Sequence, residues 1–378
     1  MANLLAIKPL KMLLAEAQET GACSLKRTLG PFQLTALGVG AVIGAGIFVL
    51  SGLGAHYAGP GLMLSFVLSG TGCAFAGLCY AEFASMIPVA GSAFMYSYTT
   101  MGELVAWIIG WDLVLEYAVG AATVSIAWSE YFNKTLQYVG IQVPYEWCHS
   151  PFEHSMGGAH GIMNLPALGI LLVLSLLLVR GTEESAMVNS IIVVLKLAIV
   201  LIVIVVGWGF INPVNHTPYI PAPTTYTTPE GVTHPYGGIM GILGAAGVVF
   251  FAFIGFDAVS TAAQEAKNPS RDMKIGILGS LVLCTILYVL FSHVLSGVAT
   301  VNDFRTQGKE ASVTFAITTY MTGYGWLAKS VTLAILAGFS SVILVMLLGQ
   351  SRVLYSMAND GLLPKKFFIL IVRKVYLS

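Results

Sequence analysis

Two short stretches carry the residues best suited to chemistry inside a bilayer. Ile43-Gly44-Ala45-Gly46-Ile47 lies mid-way along an apolar run from Phe32 to about Tyr57. Ile254-Gly255-Phe256-Asp257 lies near the middle of a later run. A helix in lipid satisfies its own backbone hydrogen bonds, because lipid offers no partners. Glycine at this depth has two readings. One is close helix packing, since small residues let helices approach. The other is an unwound segment whose freed N–H groups and carbonyls hold the carboxylate and the ammonium of a zwitterion. For Gly44 and Gly46 alone, packing is the simpler reading. The second break, five apolar spans later and in a helix of opposite direction, favours unwinding. Glycine-interrupted helices that open two inverted halves point to a midplane binding site.

Single charged residues inside spans add to this. Glu116 follows Asp112 by one helical turn on the same face, and reads as a partner for a ligand ammonium or as a paired structural carboxylate. Asp257 is expensive in hydrocarbon and should face protein or a cavity. Lys196 interrupts Ile191-Ile192-Val193-Val194-Leu195 and Leu197-Ala198-Ile199-Val200. Its stem can snorkel part of the way to an interface, or its amine can serve where it stands. Glu82 and Glu130 lie near span ends, and His293 reads as a hydrogen-bonding residue.

The elements that position these residues are membrane helices. Of 378 residues, 56% are hydrophobic and 10% charged, with mean hydropathy +0.82. Soluble domains carry about 25% charged residues. The expected class is therefore all-α and polytopic. Net charge is zero, and no basic or acidic tract suggests nucleic acid. Cys23, Cys73, Cys79, Cys148 and Cys284 have no metal-ligand spacing, and no disulfide is expected. Apolar stretches of spanning length fall at about 32–57, 61–86, 100–131, 163–180, 185–211, 237–264, 274–299 and 327–357.

With the N-terminus inside, Lys8, Lys11, Lys26, Arg27, Arg180, Lys267, Arg271, Lys274, Arg352, Lys365, Lys366, Arg373 and Lys374 are cytoplasmic. Only Lys134, Arg305, Lys309 and Lys329 fall outside, which sets the orientation. The tail reads as lying on the cytoplasmic surface or as solvated. The outer loop 132–162, with Cys148, His149, His154 and His160, reads as solvated rather than metal-binding. Asn133-Lys134-Thr135 and Asn215-His216-Thr217 match the glycosylation pattern. Ala311–Met321 reads as a short helix over the outer face, and Ile87–Thr99 as a segment dipping in from the inside.

Phe253-Ile254-Gly255-Phe256-Asp257-Ala258-Val259-Ser260-Thr261-Ala262-Ala263-Gln264-Glu265-Ala266-Lys267-Asn268-Pro269 resembles the sixth-helix signature of the cationic amino acid transporter family. That family lies within the amino acid–polyamine–organocation superfamily. The stretch from Gly38 to Gly52 is similar to its first helix. Tyr80-Ala81-Glu82-Phe83, Pro88-Val89-Ala90-Gly91-Ser92-Ala93, Gly349-Gln350-Ser351-Arg352 and Asp360-Gly361-Leu362-Leu363-Pro364 also match. The resemblance implies a LeuT-type fold of two inverted five-helix repeats with helices 1 and 6 broken, and amino acid transport by alternating access.

On this resemblance the substrate carboxylate meets N–H groups of Gly44, Ala45 and Gly46. The ammonium meets carbonyls of Ile43, Phe251, Ala252 and Ile254, and Phe256 serves as a gate. Lys196 stands where sodium-coupled cousins hold a cation, which implies a proton as coupling ion. Exchange is the alternative. Met346 reads as a pocket wall or as apolar packing. Small neutral amino acids are expected over cationic ones, because no second acid is clearly aimed at a side-chain pocket. Amino acid, protons and lipid are the expected partners. No cofactor and no enzymatic activity are expected.

The expected layout is a cytoplasmic tail (1–31), a first five-helix repeat (32–211), an outer loop (212–236), a partial second repeat of three helices (237–364) and an aberrant tail (365–378) in a multi-pass chain of the plasma or cell inner membrane. About eight spans leave the second repeat short of its helices nine and ten. Lys365-Lys366-Phe367-Phe368 is encodable by runs of A and T, where a frame slips readily. The reading is that the last residues are out of frame, and that the chain alone is unstable or silent. The rival functional reading is a non-transporting remnant or an amino-acid-binding sensor.

Overall fold

The computed structural model describes residues 6–9, 12, 29–44, 46–87, 89, 91–152, 160–180, 182–227, 233–306 and 312–363. Pro31 opens α1 (Pro31–Val42), where its missing N–H costs little, and the Gln33 side chain accepts from the Gly30 N–H at 2.7 Å. After a break, a wide turn over Gly46–Leu50 leads into α2 (Ser51–Ala58). Gly59, Pro60 and Gly61 then turn the chain into α3 (Leu62–Met86). Next come the short α4 (Ala93–Thr100) and the long α5 (Glu103–Tyr138), followed by α6 (Leu165–Arg180) and α7 (Thr182–Trp208). A hairpin of β1 (Thr224–Thr227) and β2 (Thr233–Tyr236) pairs antiparallel, Thr224 opposite Tyr236. The second broken helix consists of α8 (Gly238–Phe250) and α9 (Ala258–Thr261). The remaining helices are α10 (Pro269–Val298), α11 (Val301–Thr306), α12 (Ser312–Tyr320) and α13 (Gly325–Asn359).

Among the described residues, 6 helical runs are long and apolar enough to cross a membrane: Gly46–Met86, Glu103–Tyr138, Ser190–Trp208, Gly238–Thr261, Pro269–Val298 and Gly325–Asn359. Pro31–Val42 and Leu165–Val179 are shorter apolar helices. Each apolar stretch read from the sequence has a helical counterpart here. The chain is an all-α polytopic membrane protein. Its helices pack in two groups. In one, α10 lies along α3 and α1, and α8 packs on α2 and α3. In the other, α13 lies along α5, α6 and α7. The first helix, α1, also touches α7 and α13 and so borders both groups.

The structure departs from the expected layout in several places. The third span continues to Tyr138, taking in the first residues assigned to an outer loop. At ~1.5 Å per residue, its 36 residues exceed the ~30 Å hydrocarbon core. Hydropathy marks where lipid ends, whereas the helix ends where its own packing ends: Trp128 stacks on Phe132, and Asn164 donates to Ser129 at 2.7 Å. The Pro- and Thr-rich loop contains the hairpin, whose Thr and Tyr residues suit a strand.

Both glycosylation triplets are occupied structurally. Asn133 lies inside α5, and Asn215 donates to the Gly297 carbonyl at 2.8 Å. His149 lies 3.7 Å from the Glu130 carboxylate and stacks on Tyr145, while His154 falls outside the described residues. Asp112 is exposed whereas Glu116 is half-buried, so the two do not share one environment. The expected short helix before the last span is α12. Ile87, Val89 and, in α4, Phe94, Met95 and Tyr96 are buried.

The start of the chain is docked rather than solvated where it is described. Glu103 N–H donates to the Ala6 carbonyl at 3.0 Å, and Lys8 N–H to the Tyr98 carbonyl at 3.2 Å. The Lys8 ammonium meets the Asp360 carboxylate at 2.6 Å, with both side chains under a tenth exposed. Truncating one partner of a buried pair leaves its counter-charge in a poor environment and costs on the order of 3 kcal/mol. Lys8→Ala should therefore lower the thermal unfolding midpoint of the detergent-solubilised protein measurably. A midpoint equal to the parent's would show that the docked segment contributes nothing.

Candidate functional site

The two breaks cross in contact. At the first, α1 ends at Val42, and Ile43 leaves the helix with φ −75° and ψ 101° while its N–H still bonds Val39. Ala45 lies outside the described residues. At the second, a tight turn over Phe251–Phe253 ends at Ile254, which is extended. Gly255 then adopts φ +107°, a conformation open to glycine and strained for other residues. A Cβ added at Gly46 would lie 2.3 Å from the Ala252 Cβ and 2.4 Å from its Cα. One added at Gly255 would lie 3.0 Å from the Ala41 Cβ. These glycines are therefore required by contact and by conformation, and neither requirement is met by a larger residue.

Breaking a helix in apolar surroundings frees carbonyls that need partners. Two side chains supply them. Lys196, fully buried, donates from Nζ to the Gly40 carbonyl at 2.5 Å and to the Ile43 carbonyl at 2.7 Å. The lysine does not snorkel. Its stem runs beside Gly338, where an added Cβ would lie 3.6 Å from Cδ. A cation here also complements the negative end of the α1 dipole. Tyr288, on α10, directs its hydroxyl to the Val42 carbonyl at 2.8 Å and the Ala252 carbonyl at 2.9 Å. One hydroxyl proton thus serves a carbonyl from each break, shared or alternating between them. The Phe251 carbonyl accepts from Ile254 N–H at 3.2 Å.

The expected ammonium acceptors Ile43, Phe251 and Ala252 each already hold one hydrogen bond. Any ligand would use their second lone pair or replace a donor.

Beside the breaks lies an acidic and aromatic cluster. Asp257 is buried and accepts a hydrogen bond from the Tyr117 hydroxyl. Glu116, the neighbouring residue on α5, is half-buried. Phe256 is buried edge-on against Tyr80 with centroids 5.5 Å apart, and Tyr80 meets Tyr96 edge-on at 6.0 Å. Met346 is buried with its sulfur over Gly120, where a Cβ would lie 2.7 Å from it, so it fills a notch between α13 and α5. Gly44 faces Val342 of α13: a Cβ there would lie 2.6 Å from a Val342 methyl.

Lys196 thus meets Ile43, and Gly46 meets Ala252, while Phe256 packs on Tyr80 and Glu116 adjoins Tyr117 on α5. Sequence reasoning missed Tyr288 and Tyr117. A tyrosine hydroxyl inside an apolar span must find a partner, and that was the available signal, but it does not say which partner. Among the described residues no group of three His, Cys, Asp or Glu side chains is placed to hold a metal ion.

Compared with known proteins, the chain matches one family along most of its length. Residues 29–370 match the amino acid permease family. The chain is 44% identical over 348 residues to the branched-chain amino acid permease BcaP of Bacillus subtilis (strain 168), covering 92% of this chain and 70% of that protein. It is 40% identical over 368 residues to the methylthioribose transporter of the same organism, covering 97% and 74%. Over 354 residues it is 38% identical to cationic amino acid transporter 9, chloroplastic, of Arabidopsis thaliana, covering 93% and 58%.

The bridge at Tyr288 gives a direct test of the geometry. Tyr288→Phe keeps the ring and removes the donor shared by the two breaks. The variant should fold, yet bind ligand roughly tenfold more weakly, about the worth of one hydrogen bond to a site group. Isothermal titration with a panel of amino acids reads this. Unchanged affinity in a folded variant would mean that the hydroxyl does not set the geometry of the breaks.

Proposed function

The chain belongs to the amino acid permease family, and on that premise we propose that it carries a neutral amino acid across the plasma or cell inner membrane by alternating access. Membership indicates a multi-pass amino acid transporter rather than an enzyme. The observation that carries the finer reading is the contact of Gly46 with Ala252, which brings N–H and carbonyl groups of two oppositely running half-helices to one place. Every amino acid presents a carboxylate and an ammonium, and backbone groups recognise both ends whatever the side chain. Gly44, Ala45 and Gly46 take the carboxylate. Ile254, with the second lone pairs of Ile43, Phe251 and Ala252, takes the ammonium, and Glu116 adds charge. Phe256 closes over the ligand.

Lys196 is the proposed proton site. Its ammonium holds two freed carbonyls of α1. Losing the proton removes the charge that holds them, so protonation is coupled to the shape of the first break. The charge distribution of the loops favours a cytoplasmic N-terminus.

A neutral side chain is favoured because Asp257 is already engaged by Tyr117. The branched-chain permease among the relatives agrees with that. A cationic side chain is the second reading, favoured by a second acid, Glu116, next to the Tyr117 that bonds Asp257, and by the cationic amino acid transporter among the relatives. A sensor that binds without transport is the rival from another class.

Purified protein in liposomes, given labelled leucine, alanine and arginine with and without an inward proton gradient, separates these readings. Leucine or alanine should accumulate under the gradient, and arginine should compete poorly. Lys196→Met should lose the gradient-driven accumulation, and Lys196→Arg should not restore it, because arginine keeps its proton in proteins. Binding with no uptake would select the sensor. Normal accumulation by Lys196→Met would make the lysine structural only.

A further inference from the structure

We propose that Arg352 is the latch of the cytoplasmic gate, holding the inner halves of both broken helices against α13. Arg352 donates from Nη2 to a Glu265 carboxylate oxygen, and from Nη1 to the Thr261 hydroxyl at 3.2 Å. Thr261 is the last residue of α9, the half-helix that follows the second break. Glu265 lies in the next turn. That same turn takes in the first broken helix: Leu29 N–H donates to the Glu265 carbonyl at 2.9 Å, and Lys267 N–H to the Leu29 carbonyl at 2.8 Å. Leu29 sits two residues before Pro31, the start of α1. The inner ends of α1 and α9 therefore meet at one turn, and one guanidinium ties that turn to α13.

This tie crosses the seam between the two packing groups. Just above it the seam is closed by small side chains, Ala41 of α1 and Ala258 of α9 against Val345 of α13. At this level the apolar side chains across the seam are small, so the polar tie matters more there. The fork of an arginine suits the task, since it reaches a carboxylate and a hydroxyl at once. The two charged side chains are 16% and 19% exposed. Water can reach them when they part, so opening avoids the penalty of stranding a charge in a dry interior. A ligand at the crossing of the breaks leaves towards the inside only if α1 and α9 separate from α13. Such a separation breaks this tie and uncovers Val345.

The latch rests on the transport reading above, and its test is read without substrate. Val345→Cys is introduced in a background whose native cysteines are replaced, and inside-out vesicles are treated with a membrane-impermeant maleimide. Arg352→Gln and Glu265→Gln should each raise the labelling rate roughly tenfold, the factor that one charge-assisted hydrogen bond makes in an equilibrium. Exchanging the charges, Arg352→Glu with Glu265→Arg, should bring the rate back towards the parent's. If Arg352→Gln does not fold, Glu265→Gln alone decides. The parent rate in folded single variants overturns the latch, and so does a raised rate that the exchange leaves unchanged. Normal amino acid uptake alongside unresponsive labelling would overturn the latch and leave the transport reading standing.

Discussion

A peptide carbonyl freed inside lipid has to find a donor, and the cost of failing is several kcal/mol for each group, roughly. The centre of this protein follows from that constraint. Unwinding α1 frees the Gly40, Val42 and Ile43 carbonyls, and the turn after α8 frees that of Ala252. Lys196 and Tyr288 reach them from α7 and α10. Both partners are side chains on other helices, so the shape of each break depends on where those helices stand. A break satisfied in this way stays open to a ligand, because a carbonyl has a second lone pair and a side-chain donor can be displaced. A continuous helix would offer neither.

The same dependence explains why glycine stands where the half-helices meet. Backbone at Gly46 touches backbone at Ala252, and Gly255 turns through a left-handed conformation beside Ala41. The first requirement is closeness and the second is backbone freedom. The two glycines thus solve different problems at one crossing. Elsewhere the packing is ordinary: α10 seats one group of helices and α13 the other, with α1 between them.

Much of this was legible in the sequence because lipid makes exceptions conspicuous. Paired glycines, Asp257 and Lys196 stand out in apolar spans, and hydropathy locates the spans themselves. What stayed hidden depends on tertiary reach. Tyr288 and Tyr117 look like ordinary aromatic residues until their hydroxyls find Val42, Ala252 and Asp257. Glu265 and Arg352 lie in separate motifs with nothing in either to indicate the other. The run of α5 to Tyr138 and the β1–β2 hairpin escaped for a different reason: both lie where apolar periodicity stops, and only packing decides what the backbone does there. Lys8 reads from the sequence as part of a surface or solvated tail, because one lysine in a polar segment carries no sign of a buried aspartate 352 residues away.

The central claim is that one ligand engages both breaks together. Hydrogen–deuterium exchange of the purified protein, with and without leucine, measures this at backbone N–H groups. Leucine should slow exchange in peptides covering residues 39–47 and 250–257 alike, at ligand concentrations where binding is independently seen. Protection confined to one break, or found only elsewhere while leucine binds, would contradict the account.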